Sequence, residues 1–164
     1  MVNPRLKIKM DTYDKVLEIL AAASLLLIII LPFKYYEQLP NIIPSHFNIL
    51  GIADSFSSKA TIFLLPAIGL ILYVSLHILN RYPHKFNYLK DIKPKNAYQQ
   101  YRYATKLIRM INTIMILAFT FITYAIILTA LDLQSGIPSV FQYVFLASLL
   151  GSFVLYFLNL RNVF

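Results

Sequence analysis

The chain has 164 residues, 59% of them hydrophobic and 13% charged, with a mean hydropathy of +0.65 and a net charge of +8. A single soluble core of this size cannot hide so much apolar surface, so an ordinary water-soluble domain is excluded and a bilayer serves as the solvent for most of the chain. The absence of Cys excludes disulfides, thiolate zinc sites and cysteine nucleophiles. The positive charge flanks apolar runs and does not share one soluble face, so no nucleic-acid partner is expected.

Arg5, Lys7, Lys9 and Lys15 lead into the first apolar run, 16–33. A basic flank followed by an apolar run also suits a secretory signal, but the exit Leu31-Pro32-Phe33-Lys34 offers no small-x-small cleavage site, and an uncleaved span is expected. Ala21, Ala22, Ala23 and Ser24 make one side of it small enough for close helix approach.

The connecting segment 34–59 is rich in conformationally special residues and is expected to be a compact folded loop. Pro40 and Pro44 restrict its entry, Gly51 permits positive φ, and His46, Asn48 and Asp54 supply donors and acceptors for a tight turn. Ile42, Ile43, Phe47, Ile49, Leu50 and Phe56 are too apolar for free solvation, so they are expected to dock on the outer leaflet or over the mouth of the bundle. His46 and Asp54 are candidate metal ligands by chemistry, with Asn48, Glu37 or Asp132 needed to complete a shell. The other reading makes His46 a hydrogen-bonding hub that orders the loop, and a third has the same residues recognise a peptide or lipid.

The second run, 62–79, carries Pro66 and Gly69 one turn apart, which predicts a kink near its outer end. A basic loop, 81–106, follows; Pro83 and Pro94 punctuate it, and from Asn96 it reads as a helix prolonging the third span, with Ala97, Tyr101 and Ala104 on one side. Tyr98, Tyr101 and Tyr103 are expected in an interfacial aromatic belt. The third and fourth runs, 107–131 and 140–160, complete the set, and Ala147, Ser148, Gly151 and Ser152 give the last a small face through which an oligomer is conceivable. Continuous apolar runs near ~20 residues favour helices over the alternating strands of membrane barrels. The expected fold is therefore all-α, one membrane domain over 1–164, an integral membrane four-helix bundle.

Thirteen of the 15 Lys and Arg residues fall on one side of these spans, with Lys34 and Lys59 on the other. The positive-inside rule then puts both termini and the loop 81–106 in the cytoplasm and the segment 34–59 outside. At the inner end Glu18, His77, Asn80, Arg109 and Asn112 form a predicted polar cluster in which Glu18 pairs with Arg109. Because the midplane reads as almost wholly apolar, the pair is expected to be structural and not part of a transport path. No Ser-His-Asp order, paired catalytic carboxylates, phosphate-binding Gly loop or His-Glu-x-x-His helix is present. Enzymatic activity and a cofactor are not expected.

The pattern Leu39-Pro40-x-x-Ile43-Pro44-x-His46-Phe47-Asn48-x-x-Gly51-x-x-Asp54, followed by Lys59, resembles the signature of a bacterial membrane domain of unknown function that also forms the N-terminal part of SdpI-like immunity proteins. A second stretch, Phe86-Asn87-Tyr88 with Asn96 and Gln100-Tyr101, resembles the same family. The chain departs from the family in having Ser57-Ser58-Lys59 where Gly commonly precedes Ser-Lys, and in lacking the further C-terminal spans of full-length SdpI-like proteins. The resemblance implies a multi-pass protein of the bacterial plasma membrane, and in SdpI-like members a role in protection against a secreted membrane-active peptide or in signalling. Pro44, His46, Asn48, Gly51, Asp54 and Lys59 are then the ligand-binding or loop-ordering residues. The expected partners are the lipid bilayer and a membrane-active peptide or membrane protein. Alternative expectations are a metal-dependent membrane protein or enzyme centred on His46 and Asp54, and an accessory subunit of a larger membrane complex.

Overall fold

The computed structural model describes residues 3–161 and 163. Its elements run α1 (Thr12–Tyr35), β1 (Ile42–Phe47), β2 (Ala53–Ser58), a 3-10 segment (Lys59–Phe63), α2 (Leu64–Leu79), a short 3-10 turn (Pro83–Lys85), α3 (Ala97–Ala130) and α4 (Val140–Arg161). Four helices, one of them counted with its 3-10 lead-in, are long and apolar enough to cross a membrane.

Two helices begin earlier than their apolar runs, for local reasons. Asp11 and Asp14 form a capping box: the Asp14 amide donates to Asp11 Oδ1 at 2.8 Å and the Asp11 amide to Asp14 Oδ2 at 3.0 Å, which starts α1 at Thr12. In α3 the polar turns from Ala97 are strong helix formers that bury Ala97, Tyr101 and Ala104, so a single helix of 34 residues results. At 1.5 Å per residue it measures about 50 Å, well beyond ~30 Å of hydrocarbon. Pro66 falls in the first turn of α2, directly after the 3-10 segment. The irregularity predicted there is thus a change of helix type at Phe63 and Leu64, and Gly69 packs toward Phe119, Ile116 and Ile28.

The all-α expectation is corrected at the segment 34–59. Here β1 and β2 form an antiparallel hairpin pairing Ile42 with Ser58, Pro44 with Phe56 and Phe47 with Ala53, with irregular register on either side of His46. The β-branched and aromatic residues of the segment suit a pleated surface, and Pro44 is tolerated because it sits beside a bulge. One face of the hairpin is apolar and covers the helix ends: Ile43 joins Leu31, Leu39, Ile62, Ile126 and Ile127 in a buried cluster. Ile42, Ile49, Leu50 and Phe56 point away from it and are exposed, so only part of the expected apolar set docks.

The bundle is less symmetric than expected. Helix α3 is its centre, packed against α1, α2 and α4, whereas α4 rests chiefly on α3, where Phe121 and Phe141 stack at 4.6 Å. Of the small residues in α1, Ala21 and Ser24 are buried. Of the small residues named in α4 only Ser152 is buried, and a Cβ placed on Gly151 would meet nothing within 4 Å. The apolar midplane is also corrected. Thr120 Oγ1 lies 2.8 Å from Ser24 Oγ, Thr113 Oγ1 donates to the Leu17 carbonyl at 3.1 Å, and Thr123 is buried, so a line of hydroxyls runs along α3. Small hydroxyl residues spaced through an apolar run escape a hydropathy average, yet they allow close helix contact; Thr113 and Thr120 donate to neighbouring carbonyls, whereas the buried Thr123 hydroxyl has no hydrogen-bond partner among the described residues.

Candidate functional sites at the two ends of the bundle

At the hairpin end the turn is built from Asn48. Its side-chain oxygen accepts the Leu50 and Ile52 amides at 2.9 and 3.1 Å, its own amide donates to the Ile52 carbonyl at 2.9 Å, and the Gly51 amide donates to the Asn48 carbonyl at 2.8 Å. Gly51 has φ +77° and Gly136, in the α3–α4 connection, φ +128°. The Ile137 amide donates to the Gly51 carbonyl at 2.8 Å, latching the hairpin turn to that connection. A Cβ on Gly51 would lie 1.8 Å from the Ile137 carbonyl oxygen, and one on Gly136 would lie 2.2 Å from the Gly51 oxygen. Both positions exclude a side chain by contact as well as by conformation.

His46 Nδ1 lies 2.5 Å from Asp54 Oδ1 across the strands, on the exposed face. Pro44 is buried. Lys59 anchors the base of the hairpin, its amide on the Asn41 carbonyl at 2.9 Å and its ammonium 4.7 Å from the centre of the Tyr36 ring. Beside His46 opens a cavity of about 420 Å³ floored by Ile62, Leu65, Ile122 and Ile126 and rimmed by Ser45, His46, Ser57 and Thr61. Ser45 and Ser57 are joined through their hydroxyls at 3.1 Å. Sequence reasoning missed Ser45, Ser57, Thr61, Gly136 and Ile137. The alternation of Ser55 and Ser57 was a usable strand signal, whereas nothing local marks 136–137 as a latch.

The hairpin supplies a His-Asp pair and no shell for a metal. Among the described residues no group of three or more His, Asp or Glu is placed to hold a metal ion, and the Asn48 oxygen is occupied by the turn.

At the opposite, basic end the polar cluster has a defined order. Arg109 Nε donates to Glu18 Oε1 at 3.1 Å, and His77 Nδ1 lies 3.3 Å from Glu18 Oε2. Arg81 Nη2 stands 3.3 Å from His77 Nε2. Because a guanidinium can only donate, the contact with Arg81 has Nε2 accepting and the Nδ1 proton facing the carboxylate. Arg109 also reaches buried Asp14, Nη1 to Oδ1 at 3.6 Å. Asp14 and Arg81 were missing from the predicted cluster, although each stands one helical turn from a member of it. Asn80 donates to the Thr105 carbonyl at 3.1 Å, and Asn112 is buried, its Oδ1 without a hydrogen-bond partner among the described residues.

The N-terminal segment 3–11 lies over this end. Asn3 donates to the His84 carbonyl at 3.1 Å, the Tyr101 hydroxyl to the Pro4 carbonyl at 3.1 Å, and Lys106 and Arg102 reach Asp11 Oδ2 at 2.7 and 3.1 Å. The hydrogen bond from Lys106, aided by the Asp14 amide, holds the Asp11 carboxyl well below the usual carboxylate range. Tyr101 is fully buried, which removes it from the expected aromatic belt. It packs 5.5 Å from the Tyr88 ring, and burial pushes the Tyr88 phenol up. Asn96 closes the same region: its side-chain oxygen accepts the Lys93 amide at 2.8 Å, and its amide group and that of Gln100 both reach the Asp91 carbonyl.

Residues 23–70 match the family model described as Domain of unknown function (DUF1648). That stretch is the second half of α1, the whole hairpin, the 3-10 segment and the start of α2. No solved structure matches the chain. Over 147 aligned residues the chain is 26% identical to an uncharacterised protein of Archaeoglobus fulgidus, covering 80% of this chain and 79% of that protein. The chain is thus similar to an uncharacterised protein from an archaeon along most of its length, and to a domain of unknown function across the segment that builds the hairpin end.

Proposed function

We propose that the protein is a multi-pass membrane protein of SdpI-like immunity or signalling type, which recognises a membrane-active peptide at the outer face through the hairpin from His46 to Asp54. The observation that carries this reading is the cavity beside His46, which pairs an apolar floor with a rim of hydroxyls and an imidazole. An amphipathic peptide offers both halves of that chemistry, an apolar side chain for the floor and backbone groups for the rim. Exposed Ile42, Ile49, Leu50, Ile52 and Phe56 on the same hairpin extend the apolar surface such a peptide would meet. The Lys and Arg partition supports placing this end outside and both termini in the cytoplasm. The role is binding and not catalysis.

The test is survival of a sensitive host expressing the chain when challenged with a secreted membrane-active peptide. Protection is expected from the natural chain and its loss from Ser57→Trp, which obstructs the cavity rim, with both proteins present in the membrane at equal level. Unchanged protection by Ser57→Trp would move recognition away from the cavity.

The accessory-subunit reading draws on a different observation, the open face of α4 at Ala147, Ser148 and Gly151. Co-purification of a stoichiometric partner that is lost with Gly151→Leu would favour it.

A further inference from the structure

The basic end holds a cavity of about 400 Å³ that neither the hairpin nor the ion-pair cluster explains. Its two sides differ in chemistry. The N-terminal segment contributes Leu6, Ile8 and Met10 as an apolar roof, with Lys7 at its edge, and the facing wall is His77, Arg81 and Arg109 with Glu18 between them. Glu18 is fully engaged by Arg109 and His77, and Arg109 is also within reach of Asp14. Lys7 and Arg81, in contrast, have no carboxylate within ion-pair distance among the described residues, the Arg81 guanidinium standing 3.3 Å from His77 Nε2. Two cations without counter-charges therefore flank an opening whose other wall is hydrocarbon.

We infer that this cavity binds the phosphate-bearing headgroup of an acidic phospholipid, with Lys7 and Arg81 on the phosphate and the first acyl carbons against Leu6, Ile8 and Met10. A free inorganic anion would satisfy the cations and leave the apolar roof facing water. A zwitterionic lipid would satisfy the roof and bring its own cation against Lys7 and Arg81. Only an amphipathic anion matches both sides, and the cavity stands at the ends of α1 and α2, the depth at which such headgroups lie. The roof segment is anchored by Asn3 on His84 and Pro4 on Tyr101, so it is positioned by the protein's own hydrogen bonds and not by the ligand alone.

The test uses the full chain in neutral detergent with three probes: phosphatidylglycerol, phosphatidylcholine and inorganic phosphate, read as retained lipid by native mass spectrometry and as a shift in Tm. Phosphatidylglycerol is expected to be retained at one per chain and to raise Tm, with the other two giving little of either. Lys7→Gln and Arg81→Gln are each expected to weaken retention about fivefold, the effect of one basic residue near an anionic headgroup. Lys9→Gln, on the same segment but outside the cavity, is the control and should leave retention unchanged. Leu6→Trp fills the roof without changing charge and is expected to block retention.

Equal losses from Lys9→Gln and Lys7→Gln would show a diffuse field in place of a site and overturn the inference. So would full retention by Leu6→Trp. A Tm shift with inorganic phosphate matching that with phosphatidylglycerol would make the site one for a free anion and overturn its assignment to lipid. If Arg81→Gln does not fold, Lys7→Gln and Leu6→Trp decide the question.

Discussion

Arg109 is the residue on which the basic end depends most, because it faces two carboxylates, buried Asp14 and half-buried Glu18. Glu18→Ala leaves Arg109 with Asp14, but Arg109→Ala leaves both acids without their cation. Arg109→Ala is therefore expected to be the more damaging single change, by about 3–5 kcal/mol. The double change with Glu18→Ala should recover only part of that, since Asp14 stays buried and unpaired. Thermal unfolding in detergent across the double-mutant cycle checks this, and strictly additive losses would mean that the residues do not interact. At the other end Gly51 matters more than the better-marked His46 and Asp54. An exposed His-Asp pair contributes roughly 0.2–1 kcal/mol. A side chain at φ +77° that must also displace the Ile137 carbonyl strains the backbone by about 1–3 kcal/mol or more. Gly51→Val should accordingly open the hairpin to added protease while His46→Ala leaves it nearly as resistant as the natural chain.

The hairpin and the α3–α4 connection behave as one element, joined by the Ile137 amide on the Gly51 carbonyl and by Gly136 packed against it. Gly136→Val, 85 residues away in sequence, is expected to produce the same protease sensitivity as Gly51→Val, with cleavage in both 48–52 and 132–138; cleavage confined to 132–138 would show that the two are not latched. The start of α1 has its own condition. The Asp11 carboxyl titrates below its ordinary value, so its contribution is fully present above the ordinary carboxylate value and is lost progressively as pH falls from there toward the lowered folded-state value. Asp11→Asn should thus lower Tm at neutral pH. The difference from the natural chain should shrink as pH is lowered below roughly 4 and stay constant on going from neutral to mildly alkaline pH.

For the whole molecule the distribution of charge makes a prediction about topology. With thirteen of the 15 Lys and Arg residues on the basic side, boundary shifts of several residues leave the orientation unchanged. The chain has no Cys, so single cysteines report cleanly. A probe that cannot cross membranes should label Ser57→Cys in intact cells and not Lys93→Cys; the reverse would invert the molecule and the proposed outer site with it. Helix α4, resting chiefly on α3, is also the element expected to separate first on heating, its removal uncovering the face of the Phe121 ring on which Phe141 stacks.

What the residues alone determined were the properties that depend on local composition and short-range order. Four long, continuously apolar runs imply membrane-crossing helices, and the Pro- and Gly-punctuated segment 34–59 implies a compact turn drawn from His46, Asn48, Gly51 and Asp54, in which the structure makes Asn48 and not His46 the organising residue. Glu18 and Arg109 were legible as neighbours because charges at matching depth in an apolar run have few other partners. Tertiary structure decided the rest. The strand character of 42–58 depends on burial of Ile43 against Ile62 and Ile126, residues of other elements, and strand propensity is set by such packing more than by the backbone itself. The hydroxyl line along α3 became visible only when Ser24 and Leu17 stood opposite Thr120 and Thr113. Asp14 joined the cluster because the capping box extended α1 by a turn, and Gly136 and Ile137 became part of the hairpin site because the α3–α4 connection folds back onto Gly51. The contacts themselves join segments far apart in the chain and are fixed by which surfaces exclude lipid and water together; local signals, the Ser55 and Ser57 alternation and the Asp11–Asp14 spacing, mark only where a strand lies and where α1 starts.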